Sequence, residues 1–68
     1  MSSQQFGKLV KKARKEVGLT QEELAKKMDV HPSYISRIER GVIKNPTKDI
    51  LESLGKILKL KASELLSI

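Results

Sequence analysis

The chain of 68 residues has no cysteine, no tryptophan and one histidine, and its remaining aromatic rings are Phe6 and Tyr34. Without cysteine there is no disulfide and no thiolate metal site. With a single imidazole, a protein-only zinc or iron site has too few ligands, so no metal or cofactor is expected. Two aromatics are too few for the stacking platforms of single-strand binders and common RNA modules. No apolar run approaches the ~20 residues that span a bilayer, and no signal peptide is expected ahead of the domain; a soluble intracellular protein is anticipated. There is no nucleophile–base pair and no glycine loop to cradle a phosphate, so no enzymatic activity is expected.

What is present is basic charge. Lys and Arg number 14 against 8 Asp and Glu, a formal charge of +6 that favours an anionic partner. The length sets one domain, and domains of this size bury only about 60% of their unfolded surface, so each large apolar residue counts. No internal repeat or low-complexity segment appears.

The periodicity predicts five helical stretches and no strand. The first runs from about Ser3 to Val17, with Phe6, Leu9, Val10, Ala13 and Val17 on one face. Lys8, Lys11, Lys12 and Lys15 lie on the opposite face, read as its solvated back rather than as a phosphate-binding surface. Gly18 ends this helix in the left-handed conformation. Thr20 and Glu23 form a capping box for the second helix, whose Leu24, Ala25 and Met28 face inward. Asp29 and Val30 make a turn. Pro32 suits the first position of a third helix, which ends at Gly41. Gly41 to Pro46 is a loop, Thr47 caps a fourth helix, and Asp49 suits the positive end of its dipole. Ile50, Leu51, Leu54, Ile57 and Leu58 form the apolar stripe of the fourth helix. A short fifth helix covers roughly Ala62 to Leu66.

The third helix is the informative one. At ~100° per residue, Ser33, Ser36, Arg37 and Arg40 cluster within roughly one third of the circumference, with Ile35, Ile38 and Glu39 on the far side. A helix of this kind fits the major groove, where arginine can take guanine O6 and N7 together. Arg37 is the long base-reading candidate. Ser33 can contact a base edge or a phosphate, and Arg40, a turn further on, is placed to reach a phosphate. A solvated surface helix would show a similar polar face. The short helix before it, the turn between them and the basic charge favour a DNA-binding helix-turn-helix. Glu39, on the packing side, either pairs with Arg14 or leans out to solvent.

These residues, above all GLTQEELAKKM (Gly18 to Met28) and SYISRIERG (Ser33 to Gly41) followed by Pro46 and an apolar helix, resemble the Cro/repressor-type, or XRE-like, helix-turn-helix family. The resemblance covers Phe6 to about Leu66. It implies an all-α, compact five-helix bundle of the lambda-repressor-like DNA-binding type. Residues 1–68 would be a single domain with the helix-turn-helix at 20–40. It further implies a cytoplasmic, prokaryotic or phage-encoded regulator that binds double-stranded DNA as a homodimer on a palindromic operator. Carried over residue by residue, it places Pro32, Ser33 and Arg37 at the bases, and Ser36, on the same face of the helix, is a base-reading candidate beside them. Gln21, Arg40, Lys44, Asn45 and Thr47 would lie along the phosphates. Tyr34 would either meet a phosphate through its hydroxyl or pack its ring on the fourth helix. The resemblance also favours the Arg14–Glu39 ion pair.

The chain departs from that pattern at several positions. Asp29 stands where glycine is common and is expected to adopt the left-handed conformation with some strain. His31 replaces the usual Ser or Thr before the third helix and is expected to cap it less well, in a structural rather than ligand-binding role. Pro32 offers no long polar side chain, so base reading leans on Ser33 and Arg37. Lys61 stands where the last helix usually starts with Ser. Leu65, Leu66 and Ile68 either close the core or form a twofold contact. The competing reading is a protein-interaction module, such as the antitoxin of a toxin–antitoxin pair, with a partner protein as its main ligand.

Overall fold

The computed structural model describes residues 2–60. Over that span the chain forms α1 (Ser3–Glu16), α2 (Gln21–Met28), α3 (Pro32–Glu39) and α4 (Lys48–Leu58). No strand occurs among the described residues, so the fold is all-α as expected. The count among them is four helices rather than five. The anticipated fifth helix at Ala62 to Leu66, its start at Lys61 and the terminal Leu65, Leu66 and Ile68 lie outside the described residues. None of the described helices is long and apolar enough to cross a membrane.

Each helix start has its own side-chain cap. The Ser2 hydroxyl accepts from the N–H groups of Gln4 and Gln5 at the head of α1. Thr20 and Glu23 exchange the two bonds of a capping box, at 3.0 and 2.9 Å. The Thr20 backbone N–H, and after it the Thr20 hydroxyl, hold the Glu23 carboxyl below its ordinary pKa. Because the folded value is the lower one, this cap contributes fully above the ordinary glutamate range and fades as pH falls through the lowered value. Thr47 caps α4 by accepting from Ile50 N–H at 3.2 Å.

The helix ends use left-handed residues. Gly18 and Gly41 both have φ of 79°, and Asp29 has φ of 57° at the end of α2, as its position required. Lys59, at φ 58°, does the same for α4, where the Leu60 N–H reaches back 3.0 Å to the Gly55 carbonyl. A lysine gains nothing locally from that conformation, which costs a non-glycine residue roughly 1–2 kcal/mol. Lys59→Gly removes that cost but adds chain entropy to the unfolded state. It is therefore expected to raise stability by about 0.5–1 kcal/mol, read as a higher urea midpoint at an unchanged slope.

Phe6, Val10, Leu24, Ile35, Ile38 and Leu54 are the largest fully buried side chains, drawn from all four helices. Helix α3 packs on both α1 and α2, and α4 packs on the same two helices. One expectation fails here. Val17 was placed on the inward face of the first helix, but α1 ends at Glu16, and Val17, as its C-cap, is 37% exposed. Leu9 and Met28, also expected inward, are half-buried.

Backbone meets backbone where α1 crosses the end of α3. Gly7 is buried against the carbonyls of Ile38 and Glu39, so closely that a Cβ there would collide with the Ile38 oxygen and lie 2.7 Å from the Glu39 oxygen. Just beyond, Gly41 packs on Gln4, and the Ser3 hydroxyl donates to the Gly41 carbonyl at 2.8 Å. These contacts fix the height and tilt of α3 relative to α1.

Candidate nucleic-acid interface

Helix α3 is set by its ends and its buried side. Ile35 and Ile38, at 0% and 1% exposure, seat it in the core. Pro32 occupies its first turn. His31 caps it: the imidazole Nδ1 accepts from Ser33 N–H at 3.1 Å and lies 2.8 Å from Ser33 Oγ. The expected weakness of this cap is thus met by a ring nitrogen doing the work of a hydroxyl, and His31 touches a base-reading candidate directly. Its place at the N-cap was legible in the sequence; the side chain's reach to Ser33 was not.

The polar side of α3 points away from the core. Ser33 and Arg37 are exposed and Ser36 is half-buried. Arg37 forms no ion pair among the described residues, and its guanidinium carbon lies 5.8 Å from the centroid of the Tyr34 ring. Tyr34 is half-buried and packs against the core cluster. Arg40 is the exposed C-cap of α3.

Behind this face lies a buried polar network. The Arg14 guanidinium donates from Nε to Glu39 Oε2 at 2.6 Å and from Nη2 to Oε1 at 3.1 Å. A third bond runs from Nη1 to the Leu19 carbonyl at 2.8 Å. The two side chains are only 9% and 4% exposed, so Glu39 pairs inward rather than reaching solvent. Gln21 completes the set, donating from Nε2 to Glu39 Oε1 at 3.0 Å. One arginine thereby ties α1, the loop before α2 and the end of α3 together, and Gln21 ties in the start of α2. The second N–H of the Gln21 amide has no acceptor among the described residues. The link from Gln21 to Glu39 was not anticipated, because residues 18 apart in sequence carry no local signal of contact.

The structure brings Gln21, Pro32, Ser33 and Ser36 together along one shallow groove, which Thr20 and Glu22 also line. Glu22 carries no signal of this place in the sequence; its carboxylate repels phosphate but can accept from a cytosine amino group. Lys44 and Asn45 line a separate depression with Ser3, Phe6 and Pro46. The Thr47 oxygen serves as the α4 cap, which leaves its O–H free to donate. Lys8, Lys11, Lys12 and Lys15 are all exposed along α1.

A family model described as helix-turn-helix matches residues 10–65. The HTH-type transcriptional regulator SinR of Bacillus subtilis (strain 168) is 40% identical over 61 residues, covering 90% of this chain and 55% of that protein. The crystal structure of SinR, the master regulator for biofilm formation, in complex with DNA has a TM-score of 0.80 at 39% identity, over 90% of this chain and 97% of that one. C.Esp1396I bound to a 25 base pair operator site has a TM-score of 0.77 at 34% identity, over 98% of this chain and 87% of that one. The chain spans about half the length of the SinR relatives it matches.

Proposed function

The chain belongs to the helix-turn-helix family of Cro/repressor (XRE-like) type, and on that premise we propose that it binds double-stranded DNA sequence-specifically as a transcriptional repressor. It acts in the cytoplasm as a homodimer on a palindromic operator, with α3 of each copy in the major groove. The observation that carries this reading is the division of α3 into two sides. Ile35 and Ile38 anchor one, while the other presents Ser33, Ser36 and an arginine with no acidic partner among the described residues. Support comes from the relatives: SinR in complex with DNA and C.Esp1396I bound to an operator site share the fold at more than 30% identity.

In this arrangement Arg37 takes a guanine edge with its fork of donors, and Ser33 and Ser36 contribute shorter contacts. Gln21, through its free amide N–H, and Arg40, Lys44, Asn45 and Thr47 hold the phosphates, which supply most of the affinity and its salt dependence. Two α3 helices related by a dyad sit about 34 Å apart, one turn of B-DNA. Arg37→Ala is expected to cost about 1–3 kcal/mol on the preferred site and to relax preference at one base pair in each half-site. Fluorescence anisotropy on operator and random duplexes checks this; equal losses on both would assign Arg37 to the backbone instead.

A further inference from the structure

We infer that Tyr34 is a positioning residue for Arg37, its ring holding the guanidinium ready to read a base. The inference rests on the reading of α3 as the DNA-reading helix. Tyr34 and Arg37 stand three residues apart on α3, the spacing at which side chains on a helix are neighbours. The ring is anchored from below, half-buried against the core cluster, while Arg37 is exposed. The guanidinium carbon at 5.8 Å from the ring centroid is within cation–π range, and among the described residues no carboxylate pairs with Arg37.

The contact between ring and cation bears on recognition. A guanidinium offers its five N–H donors in its own plane and its face to an aromatic ring. A guanidinium that meets the Tyr34 ring with its face keeps its donor edge open to guanine O6 and N7. An unrestrained arginine gives up rotamer freedom when it reaches a base, and one already held in place gives up less. Tyr34 thus acts on sequence preference through Arg37, with its ring rather than its hydroxyl.

The test compares the parent protein with Tyr34→Phe, Tyr34→Leu, Arg37→Ala and the Tyr34→Leu/Arg37→Ala pair. Affinity is measured on the operator selected by the parent and on random duplex, and the Arg37 Hδ proton shifts are read by NMR without DNA. Tyr34→Leu is expected to lower operator affinity about 2- to 5-fold, to weaken preference at the base pair read by Arg37 and to leave random-duplex affinity unchanged. Tyr34→Phe is expected to keep parental affinity and the upfield Arg37 shift that a ring imposes. In the Arg37→Ala background, Tyr34→Leu is expected to cost nothing further. Equal losses for Tyr34→Phe and Tyr34→Leu would place the hydroxyl on a phosphate and overturn the inference. An undiminished Tyr34→Leu loss without Arg37 would overturn it as well, as would a free protein with no upfield shift. A parent that selects no sequence would overturn the DNA-reading proposal itself, a failure separable from the others because the shift is read in the free protein.

Discussion

Glu39→Ala is expected to remove about 3–5 kcal/mol of stability, the usual consequence of stripping one partner from a buried pair. The lost carboxylate accepts two bonds from Arg14 and one from Gln21, and its removal strands a guanidinium whose side chain is 9% exposed. A domain of 68 residues has roughly 3–10 kcal/mol in total, so the variant would be largely unfolded near room temperature or melt far below the parent. The pair itself contributes less than this figure suggests, since much of the loss is the cost of leaving a charge unpaired. Replacing both partners, as Arg14→Met with Glu39→Leu, is therefore expected to recover most of the loss. Thermal unfolding followed by circular dichroism distinguishes the cases. If Glu39→Ala alone shifted the midpoint by only a degree or two, the network would not be holding α1, α2 and α3 together.

Gly7→Ala is the second large effect, and its sign opposes helix propensity. In an exposed helix interior the change would stabilise by roughly 0.5–1 kcal/mol. Here the added methyl meets the carbonyl oxygens of Ile38 and Glu39, backbone atoms that cannot rotate aside. The Ile38 carbonyl also accepts the Gly41 N–H at 3.0 Å, so displacing it disturbs the turn that ends α3. Overpacking of this kind costs about 1–3 kcal/mol, which outweighs the propensity gain. Urea unfolding is expected to show a clear drop in midpoint, and operator affinity should fall further than random-duplex affinity because α3 is tilted. A variant as stable as the parent would contradict the close approach of α1 to α3.

The two effects also mark what was legible in the sequence. Caps at Thr20 and Thr47, Pro32 at the first position of α3, and the left-handed Asp29 follow from local chemistry, and all are found where the sequence placed them. The inward residues of α3 were equally plain, because Ile35 and Ile38 obey a helical period. Val17 misled, since periodicity continues past the point where Gly18 stops the helix and turns the side chain outward. Gly7 gave no signal of its importance, because a glycine inside an amphipathic pattern looks like a weak helix former until the crossing backbone is known. The Arg14–Glu39 pair stood open on the residues alone and was favoured by resemblance. The Gln21 bond to Glu39 and the His31 bond to Ser33 depend on how α2 and α3 are set, which no local pattern encodes. Of the candidate contact residues, the groove formed by Gln21, Pro32, Ser33 and Ser36 is a product of the turn geometry. The separate position of Lys44 and Asn45 follows from the path of the loop before α4.

On the proposed function, the exposed side of α3 reads DNA sequence. Selection of bound duplexes from a random pool, run in parallel on the parent and on Arg37→Ala, tests it most directly. The expected result is a palindrome whose half-sites are centred about one helical turn apart, with one symmetric base-pair preference lost in the variant. No enriched sequence from the parent, or an enriched motif that Arg37→Ala leaves untouched, would contradict the claim.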